Sequence, residues 1–555
     1  MMEGLHRPLA LAASAALATC LLACSPGSAP PPSPSAGQVK AVAGSQMSFY
    51  AASRAAEQVS FGPTPALVAE LQQKGLAAWI DAQFALPPTT ATAPDWVRYY
   101  DGNNPAASNR AGNVPADQFW RRALTAPDQL RQRVAWAIFE YIPVAQGQPN
   151  GQLQYYNMLI NNALGTYSQL LREVTIQPMM GWYLNNETNR PPSPQCLGCT
   201  PNENYARELM QLFTIGVVQL NSDGSVIRDA SGKPRESYTQ KDVEALARAL
   251  TGWRNPWDTD PLGKMANFDQ RMTPEPAAFF HDSTAKVVMG MPLAAGMGAD
   301  AELDAVIALL MQHPNVAPFV SLRLIQHLVT SNPSPAYLSR ISAVFRNNGQ
   351  GVAGDLRAVV KAILLDPEAR AGDVPGQQAR QFGKFREPVQ WFSALLRGLG
   401  CKVPLYSLNG TDEWVISPPG QTPNAPASIF SFYQATDRVP GSNLLAPEQK
   451  IVGTMEMNNR FGTLNWNLLD PNNPASARNL ANSGCDVTTP ARLQQSDPAA
   501  FLDFISQRWF RGAMPPTLRS KMATLMQSES WASGEEAALT MIQFALASPY
   551  YGAMR

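Results

Sequence analysis

The chain has 555 residues, of which 45% are hydrophobic and 15% charged, so it is long enough to bury a core of more than one domain. Its 43 basic and 43 acidic residues cancel to a net charge of zero, which excludes the basic surface that a nucleic-acid-binding protein requires. The 48 prolines indicate many irregular connections between the ordered elements.

The N-terminal segment has the composition of a secretory leader. Arg7 precedes an apolar stretch over residues 9–22, which ends in the sequence Leu-Leu-Ala-Cys at Cys24. This ending resembles the lipobox of bacterial lipoproteins, in which the cysteine becomes the lipidated first residue of the mature chain. We expect a signal peptide over residues 1–23 and a lipid on Cys24; the alternative is an ordinary signal peptide cleaved near the same position.

Residues 24–43 are rich in proline and serine and predict an extended tether without a core. Residues 44–555 form the folded body, and a C-terminal subdomain from about residue 425 is an alternative division. Ser25 follows the cysteine where an aspartate favours retention in the inner membrane of enterobacteria. We therefore expect a cell-envelope protein, anchored through its lipid to the outer membrane if the host is Gram-negative.

Four cysteines remain outside the leader: Cys196, Cys199, Cys401 and Cys485. In an exported protein they are candidates for disulfides, and we prefer the pairs Cys196–Cys199 and Cys401–Cys485 among the three possible pairings. The C-x-x-C spacing also occurs in zinc sites, but the chain contains no second such pair to complete four ligands. We assign no metal site, and a cofactor is not defined by the sequence.

Apolar residues recur at helical spacing through most of the chain, beginning with a helix over residues 66–74 that Thr64 caps. A polar loop is expected over residues 87–115. Residues 217–227 alternate around an Asn-Ser-Asp-Gly turn and predict a small β-hairpin. Thr239 then caps another helix, with Asp242 three positions later. Further helices are predicted over residues 76–84, 119–124, 130–142, 155–176, 300–312, 316–330, 335–347, 354–365, 385–399, 447–460, 498–511, 515–527 and 534–547, and residues 178–184 form a short apolar segment. The fold class is therefore mainly α, with a small β-hairpin insertion.

The most distinctive stretch covers residues 196–216, Cys-Leu-Gly-Cys-Thr-Pro-Asn-Glu-Asn-Tyr-Ala-Arg-Glu-Leu-Met-Gln-Leu-Phe-Thr-Ile-Gly. Thr200 and Glu203 have the spacing of a capping box, with Pro201 at the first helical position. Glu203 and Arg207 are four residues apart and can pair along one helix face. A cap and a surface ion pair are one interpretation of these residues, and a polar cleft is the other.

Several motifs together resemble the bacterial domain-of-unknown-function (DUF) 1800 family. They occur in the family's order, over most of the body, as FGPTP from Phe61, NENYARELMQLFTIG from Asn202, DVEALARALTGW from Asp242, FHDSTAK from Phe280, HPNVAPFV from His313, DLRAVVKAILLDPEAR from Asp355 and ASIFSFY from Ala427. The resemblance implies a bacterial and often exported protein, without an assigned activity or cofactor.

Candidate chemistry centres on His281, because histidine titrates near neutral pH and suits proton transfer. Adjacent His, Asp and Ser do not make a catalytic triad, since neighbouring side chains point apart. The hypothesis is instead a cleft with His281 as acid or base, a carboxylate partner and a cation for an anionic group. Its residues are His281, Asp282, Glu208, Arg207, Lys286, Glu203 and Asp242. The alternative is that these groups form buried ion pairs that fix helix packing.

Two functions remain open on this basis. The first is a lipid-anchored envelope protein with a binding or assembly role, whose protein or glycan partner is unknown. The second is an exported enzyme, such as a hydrolase of an envelope polymer, that uses the cleft around His281. His327 lies between apolar positions of a predicted helix, which favours a buried helix histidine over a ligand.

Overall fold

The computed structural model describes residues 47–92, 105–145, 147–256, 268, 270–277, 279–409, 412–453, 458, 480 and 482–555. The leader, the Cys24 anchor and the tether lie outside these residues. Within them the fold is mainly α with small two-stranded sheets, as the sequence predicts.

Helices of ten to fourteen residues dominate the first half of the body. They are α1 Phe49–Val59, α2 Pro65–Lys74, α3 Leu76–Ala85, α4 Pro105–Thr125, α5 Gln129–Phe139, α6 Pro149–Asn162, α7 Tyr167–Thr175, α8 Pro178–Tyr183, α9 Asn204–Gln211 and α10 Gln240–Ala249.

The second half continues in the same way. Its helices are α11 Ala299–Gln312, α12 Val316–Leu328, α13 Pro335–Arg346, α14 Leu356–Leu365, α15 Pro367–Arg370, α16 Pro388–Gly398, α17 Thr488–Ser496, α18 Pro498–Trp509, α19 Pro516–Ser528 and α20 Gly534–Ala547, with 3-10 helices at Ala371–Asp373 and Pro447–Ile451.

Four antiparallel strand pairs connect the helices. They are β1 Trp253–Arg254 with β2 Thr273–Pro274, β3 Lys286–Val288 with β4 Met291–Leu293, β5 Lys384–Phe385 with β8 Ala553–Met554, and β6 Tyr406–Asn409 with β7 Asp412–Val415. In the β5–β8 pair Lys384 lies opposite Met554, so the C-terminal strand fixes the backbone that carries Lys384.

Two helices, α5 and α16, lie at the centre of the core, and every residue of each is buried. Trp136 of α5 packs 4.9 Å from Phe119, and Phe392 of α16 packs 5.2 Å from Trp120, measured between ring centroids. Each such side chain contributes about 1.5–3 kcal/mol by leaving water. Polar groups on these two helices are therefore enclosed by aromatic packing and need partners inside the protein.

Local capping explains where several helices begin. The Thr64 hydroxyl accepts a hydrogen bond from the Leu67 N–H, and Thr239 forms a capping box with Asp242, as the sequence predicts. The capping box predicted at Thr200 is wrong, because the helix begins at Asn204 and Glu203 makes no side-chain cap. Asn202 instead accepts from the Asn204 N–H at 2.9 Å.

Other boundaries also differ from the prediction. The loop expected over residues 87–115 gives way to α4, which begins at Pro105 and tolerates Pro115 within it. The helix expected over residues 447–460 is a 3-10 helix in the part that the structure describes, and α17 was not predicted. The hairpin over residues 217–227 is present as isolated bridges, including Leu220 with Val226.

Both preferred cysteine pairs are disulfide-bonded. Cys196 joins Cys199, and Cys401 joins Cys485 across 84 positions. The second bond connects Cys401, which is buried just after α16, to Cys485 in the segment before α17.

Across the described residues, no single helix has both the length and the apolar composition needed to span a membrane. The bent pair formed by α11 and α12 meets that test only when its two helices are taken together.

A buried carboxylate joins the first helix to the C-terminal region. Glu57 of α1 lies 2.6 Å from the Arg511 guanidinium and 3.3 Å from that of Arg386. Burial alone would raise the pKa of Glu57, but the two guanidinium groups hold its pKa below the usual value. Arg511 also donates to the carbonyl oxygen of Arg555 at 2.8 Å, so α1 and the C-terminal residue are held by one polar cluster.

Replacement of Glu57 by glutamine should lower the free energy of unfolding by about 3 kcal/mol, because two buried cations lose their carboxylate. Because the pKa of Glu57 is lower in the folded state, its stabilisation is complete above the unfolded pKa and declines as pH falls through the folded pKa. Urea unfolding should thus show the difference between wild type and Glu57→Gln shrinking at acidic pH.

Asp304→Asn provides the matched control, since Asp304 pairs with Arg172 on the surface and is 64% exposed. This variant should stay within about 1 kcal/mol of wild type. Equal losses in the two variants would show that the Glu57 cluster adds nothing beyond a surface ion pair.

Candidate functional site

A cluster of polar side chains lies within the core where several chain segments meet. Glu140 follows α5, His327 is in the last turn of α12, and Glu387 directly precedes α16. Lys384 comes from β5 and Tyr433 from the loop after residue 427. All five are buried, although they come from segments far apart in sequence.

Local structure explains these positions. Pro388 is the first residue of α16, so Glu387 has extended backbone and its side chain is free of the helix that follows. Three positions earlier, the pairing of β5 with β8 holds Lys384 beside Glu387. His327 faces the same space because its helix ends one residue later.

The Glu140 carboxyl is the centre of the contacts. Its Oε2 accepts from the Tyr433 hydroxyl at 2.9 Å and lies 3.3 Å from His327 Nδ1. Its Oε1 accepts from the Gln421 amide at 2.9 Å, and the same amide donates to Glu387 Oε2 at 2.8 Å. Gln421 therefore bridges the two carboxyl groups and fixes the distance between them.

Positive charge is concentrated on the Glu387 side. Lys384 Nζ donates to Glu387 Oε1 at 2.5 Å and lies 3.5 Å from Glu448 Oε1. Arg133, buried on α5, donates to the His327 carbonyl oxygen at 2.5 Å. Three carboxyl groups thus share two cations, so one of the three must bind a proton to avoid a buried net charge.

The electrostatic environment separates the two bridged carboxyl groups. Burial and the neighbouring Glu387 raise the pKa of Glu140 well above its usual value. Burial also opposes ionisation of Glu387, but Lys384 and Arg133 hold the pKa of Glu387 below its usual value. Of the two bridged carboxyl groups, Glu140 therefore binds a proton more readily and Glu387 is the ionised partner; burial also raises the pKa of the third carboxyl, Glu448.

The neighbouring imidazole and phenol are both neutral. Burial, reinforced by Lys384, lowers the pKa of His327 well below its usual value. Burial and the Glu140 carboxyl raise the pKa of Tyr433 well above its usual value. Tyr433 also reaches Glu387 Oε1 at 3.1 Å and His327 Nδ1 at 3.5 Å, so its hydroxyl contacts all three acid–base groups.

A cavity of about 340 Å³ opens onto this cluster. Glu140, His327 and Tyr433 are among its lining residues. The remaining lining comes from Tyr141, Gln211, Leu212, Gly216, Val217, Phe319, Arg323, Ile429, Phe430, Gln434, Ala435 and Thr436. The volume is in the range of small-molecule sites.

Arg323 supplies the cation in the cavity wall. Its guanidinium stacks on Phe319, 4.9 Å from the ring centroid, and donates to Gln326 Oε1 at 2.9 Å. Burial lowers the pKa of Arg323 to about 10. No carboxylate among the described residues forms an ion pair with it, so it can receive an anionic group from a ligand.

Three of these groups have a geometry that could also hold a metal ion. One ligand atom each from Glu140, His327 and Glu387 lies within 4.8 Å of the others. Two carboxylates and an imidazole are suitable ligands for a divalent ion such as Zn²⁺ or Mn²⁺. However, Lys384 already provides a positive charge to Glu387 at 2.5 Å, so a metal would compete with this ammonium and with the proton on Glu140.

The residues predicted around His281 do not form one contact group. His281, Asp282 and Lys286 lie together, and Glu302 completes this group: its carboxylate is 2.6 Å from Lys286 Nζ and 3.7 Å from His281 Nε2. Arg248 binds Asp282 at 2.6 Å. Burial alone would raise the pKa of Asp282, but the hydrogen bonds that its carboxylate accepts from Arg248 and Thr284 lower that pKa to about 2.

The other predicted residues lie apart from that group. Glu203 and Arg207 form a half-exposed pair at 2.7 Å, and Asp242 caps α10 while accepting from the Met289 N–H at 2.8 Å. Glu208 is buried, and burial raises its pKa. None of the seven predicted residues lines the cavity at Glu140 or a second cavity, of about 490 Å³, beside Trp182 and Tyr183.

The sequence analysis did not identify the cluster at Glu140. It interpreted His327 as a buried helix histidine, which is correct for its burial but omits its polar neighbours. A usable signal was the presence of Glu140, Lys384 and Glu387 at the ends of otherwise apolar segments. That signal could identify these residues as buried charges, but it could not show which of them contact each other in the folded protein.

Comparison with known proteins gives one match. A sequence model of the family described as "Protein of unknown function (DUF1800)" matches residues 54–553. No curated protein and no solved structure matches the chain.

Because the two bridged carboxyl groups differ in protonation, replacing each by glutamine should change the free energy of unfolding by different amounts. Glu140→Gln replaces a neutral carboxyl with a neutral amide and should lower the free energy of unfolding at pH 6 by no more than about 1 kcal/mol. Glu387→Gln removes the carboxylate nearest to Lys384, at 2.5 Å, and leaves it only Glu448 at 3.5 Å, so this variant should cost about 3–5 kcal/mol. Urea unfolding of both variants measures this difference.

The pH dependence has a defined sign. Because the pKa of Glu140 is raised in the folded state, its stabilisation is complete below the unfolded pKa and declines as pH rises through the folded pKa. Glu140→Gln should therefore gain stability relative to wild type in alkaline buffer. Equal losses for the two variants at pH 6 would contradict the assignment of the proton to Glu140.

Proposed function

Because this chain belongs to the DUF1800 family, whose description assigns no function, we propose from the cavity itself that the protein is an acid–base enzyme of the cell envelope. One observation carries the proposal. The Glu140 carboxyl and the His327 imidazole line a cavity that can admit a ligand, and the Glu387 carboxylate lies behind them, joined to Glu140 by the Gln421 amide. Titratable groups whose environments separate their pKa values are the usual basis of acid–base catalysis.

The geometry favours hydrolysis as the reaction class. The Glu140 carboxyl, whose pKa is raised, can donate a proton to a leaving group, and the neutral imidazole of His327 can accept a hydrogen bond from the attacking water and orient it. Glu387, which does not line the cavity, keeps the proton on Glu140 through charge repulsion. Tyr433 holds both carboxyl groups and the imidazole in place through its hydroxyl.

The cavity walls suit the acidic end of a larger molecule. Arg323 offers an anion contact, and Phe319, Phe430 and Tyr141 offer flat apolar surfaces. A volume of about 340 Å³ accommodates one residue or sugar unit and not a long segment. The proposed substrate is therefore an acidic glycan or glycopeptide end of an envelope polymer.

A binding or assembly role is the second candidate, and the mouth of the cavity favours it. Phe430 and Val217 line the opening and are 41% and 51% exposed. Exposed apolar side chains around a cavity also occur where a protein partner binds. In that case the cavity would bind an acidic group of the partner without converting it.

The envelope location is part of the proposal and rests on the lipobox-like sequence at Cys24, the proline-rich tether and two disulfides. Cells expressing the full chain should incorporate labelled palmitate into it and retain it in the membrane fraction. Cys24→Ala should abolish both. A Cys24→Ala protein that remains labelled and membrane-bound would contradict the anchor.

The enzymatic proposal can be tested with a soluble muropeptide mixture, whose sugar and peptide ends carry carboxylates. Wild-type protein should convert components of this mixture, as detected by liquid chromatography and mass spectrometry. Glu140→Gln should retain its fold and ligand binding but lose at least about 100-fold in turnover, because a proton donor is removed. Arg323→Met should mainly raise KM, because it removes an anion contact.

Arg228→Met is the matched control, because Arg228 is an exposed arginine that contacts only the Gly232 carbonyl oxygen among its described hydrogen bonds. Its turnover should equal that of wild type. Binding of muropeptides that depends on Arg323, with no conversion by wild type, would replace the enzyme by the binding role. If the wild-type protein neither binds nor converts muropeptides, the proposed substrate class is wrong.

A further inference from the structure

The two disulfides have very different surroundings. Cys401 is 3% exposed, and its bond to Cys485 spans 84 positions. Cys196 and Cys199 are both partly exposed, and Leu197 between them is 85% exposed. A bond that closes so short a segment restricts the unfolded chain much less than one that spans 84 positions.

The loop that carries the short disulfide is held by other contacts. Asn189 Oδ1 accepts from the Asn202 N–H at 2.7 Å, which joins the two ends of the loop. Asn189 is itself buried, donates to the Ala247 carbonyl oxygen at 3.3 Å and accepts from the Gly252 N–H at 2.8 Å. The loop therefore keeps its ends together without the bond between Cys196 and Cys199.

A cation lies directly beside one of the two sulfur atoms. The Arg190 Nε–H group donates to Cys199 Sγ at 3.2 Å, and the guanidinium is held by stacking on Phe280, 5.1 Å from the ring centroid. A guanidinium in this position stabilises a thiolate on Cys199 once the bond is broken. Cys196 has no described hydrogen bond of this kind, so the two sulfur atoms are not equivalent.

We propose that Cys196–Cys199 is a redox-active disulfide that exchanges with thiols, and that Arg190 positions Cys199 as the leaving group. This activity is separate from the cavity at Glu140, whose lining includes none of these residues. The partner class is an exposed pair of thiols on another protein, or two molecules of a small thiol such as glutathione.

The exchange proceeds in two balanced steps. A partner thiolate attacks Cys196 Sγ, the bond to Cys199 breaks, and its electron pair remains on Cys199 as a thiolate beside Arg190. The partner's second thiolate then attacks the partner sulfur of the mixed disulfide and releases Cys196 as a thiolate, which takes a proton from water. The partner is oxidised to a disulfide, and Cys196 and Cys199 gain the two electrons.

The experiment uses the folded full chain in glutathione buffers of graded ratio. Samples are acid-quenched and alkylated, and mass spectrometry of the peptides reports each cysteine pair separately. Cys196–Cys199 should become reduced in a graded, reversible way while Cys401–Cys485 stays oxidised, which makes the buried bond the internal control. Resistance of both bonds over the same range would overturn the proposal.

Arginine variants test the leaving-group role. Arg190→Ala should slow reduction of Cys196–Cys199 by roughly threefold to tenfold, since a less stable thiolate leaves more slowly. Arg190→Lys should recover part of the rate, and Arg228→Ala should match wild type. Equal rates for Arg190→Ala and wild type would remove Arg190 from the mechanism.

A disulfide that only stabilises the fold would behave differently from a redox-active one when both of its cysteines are replaced. The double variant Cys196→Ser with Cys199→Ser should melt within about 2 °C of wild type, because Asn189 holds the loop ends. A loss of more than about 8 °C would show that the bond stabilises the fold, and the redox role would be rejected.

Discussion

The buried ion pair of Lys384 with Glu387 is the constraint on which the centre of this structure depends. Both side chains are fully enclosed, with Nζ and Oε1 2.5 Å apart. Neither charge is tolerable there alone, because an unpaired ion in the core costs several kcal/mol. The pairing of β5 with β8 and the start of α16 at Pro388 are what keep the two groups together.

That pair determines the state of its neighbours. Lys384 and Arg133 favour the ionised form of Glu387, and the charge on Glu387 then favours the protonated form of Glu140. Lys384 also disfavours a proton on His327, so the imidazole stays neutral beside a neutral carboxyl. The acid–base character of the cavity is therefore produced by a cation that does not line it.

The same short stretch connects the cavity to the ends of the body. Arg386 lies between Lys384 and Glu387 and pairs with Glu57 of the first helix, which also binds Arg511. The segment from Lys384 to Glu387 therefore contacts both the Glu57 cluster and the cluster around Glu140. The polar groups at His281 follow a different plan: Lys286, Glu302, Asp282 and Arg248 satisfy each other and fix the packing of α10 and α11 against β3.

Local sequence determined much of the fold. Thr64 and Thr239 mark helix starts because a hydroxyl can accept from backbone N–H groups only a few residues away. The C-x-x-C spacing similarly allows a single turn to bring Cys196 and Cys199 within disulfide distance. At Thr200 the same local rule failed, since Asn189 holds Asn202 in a loop and the helix begins after it.

The candidate site was decided by tertiary structure alone. Tyr433 reaches Glu140 across 293 positions, and Gln421 reaches it across 281. Helical periodicity reports which face of a segment is buried, but it carries no information about which distant segment covers that face. The sequence by itself therefore determined the helices, the hairpin and the nearer cysteine pair, whereas the meeting of Glu140, His327 and Glu387, and the proton that they share, follow only from how the helices pack.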